Sequence, residues 1–164
     1  MSPPAFLLRD AAPGDASVIA RFVKDLADYE KLGQEAQATA EDFSAALFGQ
    51  TPRAYAMLAE VDGKPVGFAL WFYNFSTFLA RHGLYIEDIY VEPAYRGFGI
   101  GRAFFRALAR RALAEGCGRM EWWVLNWNEP AIRFYRSLGA EPMSDWTVQR
   151  LTGASLQALA ASSQ

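Results

Sequence analysis

The run Tyr95-Arg96-Gly97-Phe98-Gly99-Ile100-Gly101 carries the strongest chemical signal in the chain. It stands between an apolar stretch ending at Val91 and a helical pattern beginning near Gly99. At such a strand-to-helix turn, backbone N–H groups can face phosphate oxygens, and alternating glycines remove the Cβ atoms that would hold an anion away. The run is not a Walker A loop, because no Gly-Lys-Ser/Thr follows, and its spacing departs from the dinucleotide fingerprint. A second signal is the adjacent pair Glu87-Asp88 inside the apolar run Leu84 to Val91. Unpaired charge is costly to bury, so two acids in a strand hint at function. Alternation along a regular strand sends their side chains to opposite faces, so that one of them faces a given pocket. Tyr29-Glu30 closes a helical pattern, where a carboxylate opposes the helix dipole and therefore invites a functional reason.

Other chemistries are removed by the inventory. The sequence holds one His (His82) and one Cys (Cys117). A His-based metal cluster cannot be assembled, and a Ser-His-Asp triad would have to be built on His82. Arg81-His82-Gly83 reads as a turn, and Cys117 as a small residue at a helix exit with no adjacent base. No metal is expected. Arg102, Arg106 and Arg110 recur every four residues and form a solvated helix face, with the Arg102 backbone N–H next to the glycine loop.

These residues have to be positioned by a compact domain. The chain has 164 residues, 52% of them hydrophobic and 21% charged, which excludes a disordered chain and suffices for a core without staples. Its Lys+Arg 16 against Asp+Glu 18 gives −2, so bulk charge does not favour nucleic acid as a partner. A single Cys suits a reducing compartment, no apolar run is long enough to span a membrane, and Met1-Ser2-Pro3-Pro4 lacks the layout of a signal peptide. The expectation is a soluble, cytoplasmic protein with one domain spanning residues 1–164.

Periodicity gives the elements. A strand is expected at Phe6 to Arg9, a helix from Pro13 to about Tyr29, and a short helix capped by Thr39 with Asp42 and ending near Gly49. Asp62-Gly63 joins strands Tyr55 to Val61 and Pro65 to Phe75 as a hairpin. A strand from Leu84 to Val91 follows, then a helix from Gly99 to Glu115, a strand from Met120 to Leu125, and a helix opened by Pro130 and closed at Gly139. Trp146 to Leu151 reads as a last strand, before a short Ala-rich helix. This order predicts an α/β (α+β) three-layer fold, a mixed, mostly antiparallel sheet flanked by helices.

Arg-x-x-Gly-x-Gly after an apolar strand resembles the pyrophosphate loop of the GNAT superfamily of acyl-CoA-dependent N-acetyltransferases. Trp127-Asn128-Glu129-Pro130-Ala131-Ile132-Arg133-Phe134-Tyr135 is similar to its second cofactor segment, and Leu84 to Val91 to its central strand. With Ala27-Asp28-Tyr29-Glu30 and Trp146, the resemblance narrows to the diamine and polyamine acetyltransferases and their thialysine-acetylating relatives. It covers nearly the whole chain in the same order.

The resemblance implies acetyl-CoA as co-substrate, with Ile89, Tyr90 and Val91 holding pantetheine and carbonyl through their backbone. Arg96, Gly97, Phe98, Gly99, Ile100, Gly101 and Arg102 would hold the pyrophosphate, and Asn128, Pro130, Ala131 and Tyr135 the rest of the cofactor. Tyr135 is implied as proton donor to the leaving thiolate, a role open to a phenol of pKa near 10. Glu87 is implied as a base acting through water or as an amine anchor, with Asp88 orienting its neighbours. Tyr29, Glu30, Glu87, Asp88, Asp145 and Trp146 would line the amine site, together with Trp122 or Trp123. An alkyl ammonium titrates near 10.4 and must lose a proton before it attacks, hence the need for acids and a base.

The expected activity is acetyl transfer by direct attack onto a primary amine of a small diamine or polyamine. The acid-free stretch Asn74 to Ala80, followed by Arg81, suits instead a zwitterion such as thialysine, whose carboxylate Arg81 would meet. A rival of another class is a non-catalytic acyl-CoA sensor, against which Tyr135 and Glu87 argue. The resembled group also implies a homodimer, for which the aromatic-rich C-terminal half offers apolar surface.

Overall fold

The computed structural model describes residues 4–162. The reading of Met1-Ser2-Pro3 falls outside them. The chain divides into two compact units, Met1–Leu125 and Asn126–Gln164.

The first unit is built on a five-stranded sheet in the order β1 (Leu7–Asp10), β2 (Tyr55–Val61), β3 (Lys64–Ser76), β4 (Arg81–Val91), β5 (Met120–Glu121). The first four strands pair antiparallel and β5 joins β4 in parallel. Asp62 (φ 50°) and Gly63 (φ 74°) both take the left-handed backbone that a tight two-residue hairpin requires, so the Asp-Gly signal is realised as read. Pro13–Asp15 forms a 3₁₀ turn, and α1 (Ala16–Tyr29) continues from it. In α2 (Ala40–Phe48) the Thr39 hydroxyl accepts from the Asp42 N–H at 3.2 Å, while the Asp42 carboxylate accepts from the Thr39 N–H at 2.8 Å. That reciprocal cap satisfies donors the first helical turn leaves open.

Ile19, Phe22 and Leu47 from α1 and α2 pack on Ala56, Leu58, Phe68, Leu70 and Tyr90 of one sheet face. The other face meets α3 (Ile100–Ala114), whose Arg111 guanidinium lies 5.0 Å over the Trp71 ring and whose Phe105 packs against Trp122 at 4.8 Å. Helix, sheet and helix make the expected three layers within this unit.

Two strand expectations are corrected here. β5 spans Met120–Glu121 and stops there, not at Leu125, because its ladder with β4 has only the pairs Leu84↔Met120 and Tyr85↔Glu121. His82 lies in β4, opposite Phe75 with the rings 5.3 Å apart, rather than in a turn; the turn falls just before, with Ala80 at φ 49°.

The second unit holds α4 (Glu129–Ser137) and α5 (Gly153–Ala161). Its expected strand Trp146 to Leu151 is not formed. That segment pairs with no strand, and Trp146, Val148 and Leu151 are exposed. Apolar alternation makes a strand only where a neighbour accepts its hydrogen bonds.

Candidate active site

Strand β4 carries the site, and a register shift shapes it. Leu70 pairs with Asp88, yet the next residue, Trp71, pairs with Ile86, so Glu87 is an extra residue in a β-bulge. The expected strict alternation of Glu87 and Asp88 therefore fails, since a bulge breaks the period of two. Phe68, Leu70 and Phe72 share a face by alternation, so their partners Tyr90, Asp88 and Tyr85 share it too. This is the face on which α1 packs.

Asp88 is half-buried there and Glu87 is exposed. Burial, together with the charges of Glu87 and Glu30, raises the Asp88 carboxyl to about 7. Glu30 follows the last residue of α1, is half-buried, and is itself raised by burial. It is not a solvated helix end. Tyr85 is raised as well, by burial first and then by Glu87, Glu121 and Asp88. Its ring lies tilted against Phe72 at 4.8 Å and meets Trp123 edge-on at 5.9 Å. Trp122 and Trp123 thus divide between the faces, Trp122 toward α3 and Trp123 toward the acids. Tyr85 and Glu121 were missed from sequence because the bulge hid which residues share a face with Asp88. Glu121 accepts from Asn74 Nδ2 at 3.1 Å and pairs with Arg119 Nε at 2.9 Å.

The β4–β5 ladder ends at Tyr85↔Glu121, so beyond it the β5-side edge of β4, including Ile89 and Val91, has no strand partner among the described residues. Tyr90 is buried against Phe22, with ring centroids 5.7 Å apart, and would serve a ligand through its backbone alone. The Val91 carbonyl already accepts from Arg96 Nε at 2.8 Å. Gly97 (φ 82°) and Gly99 (φ 87°) both adopt left-handed backbone, and nothing lies within 4 Å of where their Cβ atoms would stand. Their requirement for glycine is conformational, and the space over the loop is open. Ile100 is buried and anchors the loop to the core, while the helix's first internal bond runs from the Ala103 N–H to the Gly99 carbonyl at 2.9 Å. The N–H groups ahead of it, on Ile100, Gly101 and Arg102, are the ones a helix start presents to anions. Phe98 is half-buried, and the side chains of Arg102, Arg106 and Arg110 are exposed as expected. An open glycine-lined helix start beside an unpaired strand edge fits a pyrophosphate with an extended arm.

In the second unit, Asn128 caps α4, its Oδ1 accepting from the Ala131 N–H at 3.4 Å. Pro130 sits in the first turn, where no N–H is needed. Tyr135 is half-buried with its ring 5.7 Å from Phe134. Asp145 and Trp146 lie in an irregular, exposed segment. Cys117 is half-buried with its thiol pushed up by burial and by Glu115, which is the opposite of what a nucleophile needs. Among the described residues no helix is long and apolar enough to cross a membrane.

Comparison with known proteins decides the family. Residues 20–140 match the acetyltransferase (GNAT) family. The chain belongs to the GNAT acetyltransferases. It is 36% identical over 165 residues to a thialysine N-epsilon-acetyltransferase of Bos taurus, covering 94% of this chain and 96% of that one. It is also 36% identical over 146 residues to a spermidine/spermine N(1)-acetyltransferase-like protein of Homo sapiens, covering 85% of this chain and 21% of the relative. Among solved structures, an integron cassette protein from the mobile metagenome of V. cholerae superposes with a TM-score of 0.80 at 26% identity, covering 99% of each chain. A GNAT protein is an acyltransferase, and this family draws its acetyl group from acetyl-CoA. The sequence-based expectation of a GNAT N-acetyltransferase is therefore met.

Proposed function

We propose that this GNAT enzyme acetylates a primary amine of a small diamine- or polyamine-like cation, working in the cytoplasm as a homodimer with the whole chain as one domain. The observation that carries the amine class is the gathering of Glu30, Glu87 and Asp88 at the β4 bulge. The groups that raise Asp88 beyond burial are both carboxylates. A cluster in which the charges acting on Asp88 are carboxylates is complementary to a substrate that brings its own cation.

Acetyl-CoA supplies an acyl group activated as a thioester. In the first unit the loop from Gly97 to Arg102 would hold its pyrophosphate by backbone N–H groups and the edge of β4 from Ile89 to Val91 its pantetheine; Asn128, Pro130 and Ala131 are assigned to it by the family resemblance. Glu87, exposed at the bulge, anchors the incoming ammonium and accepts its proton through water. Asp88, titrating near neutral pH, keeps the negative charge of the pair adjustable at the pH of turnover. The Tyr135 hydroxyl donates the proton that the departing sulfur takes up. Trp123 and Tyr85 supply aromatic walls against which the alkyl chain and cation can lie. Tyr29 and Glu30 complete the set that the first unit offers the amine, while Asp145 and Trp146 rest on the family resemblance alone.

The second reading is a zwitterionic amine, favoured by the full-length thialysine-acetylating relative. The position of Arg81 weighs against it: it is exposed at the first residue of β4, at the opposite end of the strand's sequence from Asp88. The acyl-CoA sensor is not favoured, because the relatives are named as enzymes.

An amine panel followed by thiol release decides among these. Spermidine and short diamines should be acetylated with higher kcat/KM than thialysine. Preference for thialysine, lost in Arg81→Ala, would install the second reading, and no thiol release with any amine would sink the enzymatic assignment of this chain. Tyr135→Phe should keep CoA affinity while kcat falls roughly ten- to a thousandfold. Light scattering at micromolar concentration should return twice the monomer mass.

A further inference from the structure

The glycine loop has little to hold it. Gly97 and Gly99 carry no side chains, and no atom stands within 4 Å of their Cβ positions. It is fastened from its ends. At one end Ile100 is sunk into the core. At the other, Arg96 makes three contacts with its guanidinium group. Nε donates to the Val91 carbonyl at 2.8 Å, closing the turn 91–96, and the guanidinium carbon lies 5.1 Å from the Tyr29 ring centroid and 5.6 Å from that of Tyr90. Tyr90 is buried and fixed against Phe22. Tyr29 is the last residue of α1, and the next residue is Glu30, whose charge acts on Asp88.

We propose that Arg96 is a positioning residue that couples the glycine loop to the end of helix α1, so that order in the loop and placement of Tyr29-Glu30 rise and fall together. Its guanidinium is occupied with a strand carbonyl and two rings, and it orders the loop from one side. Arginine suits the task because a planar guanidinium can stack on rings while an in-plane N–H bonds a carbonyl; a lysine ammonium cannot do both. In consequence, a ligand that orders residues 97–101 would also steady the acid end of α1. The inference rests on the proposed function for that consequence, since it is there that the loop is assigned to acetyl-CoA and Glu30 to the amine.

The test is a four-corner cycle of wild type, Arg96→Leu, Tyr29→Leu and the double variant, with CoA affinity read by calorimetry. Arg96→Leu should weaken CoA about tenfold, and Tyr29→Leu roughly two- to fivefold, in line with one exposed cation–π contact. The double variant should be no weaker than Arg96→Leu within about twofold, because the second change removes a contact already lost. Multiplying effects would show independent sites and overturn the coupling. Arg96→Lys should behave like Arg96→Leu; full rescue by lysine would mean that charge on the phosphates, not stacking, is what matters. In turnover, Arg96→Lys should raise the amine KM several-fold while changing kcat less, and an unchanged amine KM would count against the proposal.

A ligand-free readout separates this inference from the functional one. Amide hydrogen exchange across residues 96–101 should quicken in Tyr29→Leu without any CoA present. Unchanged exchange would overturn the coupling even in an active enzyme. Quickened exchange in a protein that binds no CoA would uphold the coupling and remove the loop from the cofactor site.

Discussion

At the β1 edge of the sheet, Arg9 donates through Nη1 and Nη2 to the Asp15 carboxylate at 2.7 and 2.9 Å, and through Nε to Glu60 at 2.8 Å. Asp15 also accepts from the Ala12 N–H at 2.7 Å. The guanidinium holds the Asp15 carboxyl below its usual range despite burial. Around β4, Glu30, Glu87 and Asp88 gather carboxylates in the same way, and there Asp88 is driven up to about 7. Both regions bring acids together in partly buried surroundings. In the first a cation of the chain balances them, and folding gains from the ionisation of Asp15. In the second the charges that act on Asp88 are themselves carboxylates, and folding works against the ionisation of Asp88 and Glu30. Matched charge makes the first region a staple, and the proposed function makes the second a site for a cation.

The largest effect expected from this contrast is on Asp88. Asp88→Asn should lower kcat/KM roughly a hundred- to a thousandfold at pH 7, within the usual range for a group that assists proton transfer. The same variant should be as stable as wild type at pH 4 and more stable above pH 7. The sign follows from linkage: the folded Asp88 binds its proton up to about 7 and the unfolded one only to about 3.9, so wild type loses stability as pH rises between those values. Melting temperatures of both proteins from pH 4 to 8.5 check it. Parallel curves would erase the difference between the two regions.

Next in size is the staple. Asp15→Asn should cost about 2 kcal/mol at pH 7, for it weakens a part-buried, bidentate ion pair with Arg9. For a chain of this length that is a fall of roughly 4–8 °C in melting temperature. Because the folded Asp15 carboxyl is depressed, its contribution is present above about pH 4 and fades as pH falls through the folded value. The gap between variant and wild type should therefore close in acid. Activity per folded molecule should hold, and a loss comparable to that of Asp88→Asn would show the staple to be part of the site.

Glu30→Gln tests the edge of the acid cluster. The KM for spermidine should rise about tenfold, while that for a short monoamine changes less than twofold, since a second ammonium is what Glu30 is placed to read. Equal KM changes for both amines would remove Glu30 from the amine site. Smallest is Lys31→Gly. Lys31 has φ 63° at the end of α1, and Leu32 N–H closes back on the Ala27 carbonyl at 2.8 Å. Glycine takes that left-handed position without the penalty of a Cβ, so melting should rise by about 1–3 °C. No gain would mean that contacts of the Lys31 side chain outweigh the strain.

The sequence alone determined the elements whose signals are local. The Asp-Gly hairpin, the Thr39 cap, the glycine loop ahead of α3, and the order of strands and helices through Met120 all follow from backbone preferences within a few residues, so they could be read without a fold. The residue types of the family's loop and of the acid pair were equally legible, and with them the acetyltransferase assignment. What the tertiary structure decided depends on a neighbour the chain cannot name in advance. The bulge at Glu87 exists only in the register against Leu70 and Trp71, and it set Asp88 on one face with Tyr85 and Tyr90. The end of β5 at Glu121 and the absence of a strand at Trp146 to Leu151 reflect pairing partners, not propensity. The contacts of Arg96 with Tyr29, Tyr90 and Val91, on which its proposed coupling role rests, likewise exist only in the fold. Spacing along the chain fixes which groups are available, but burial and the charges brought near by folding fix what each of them does.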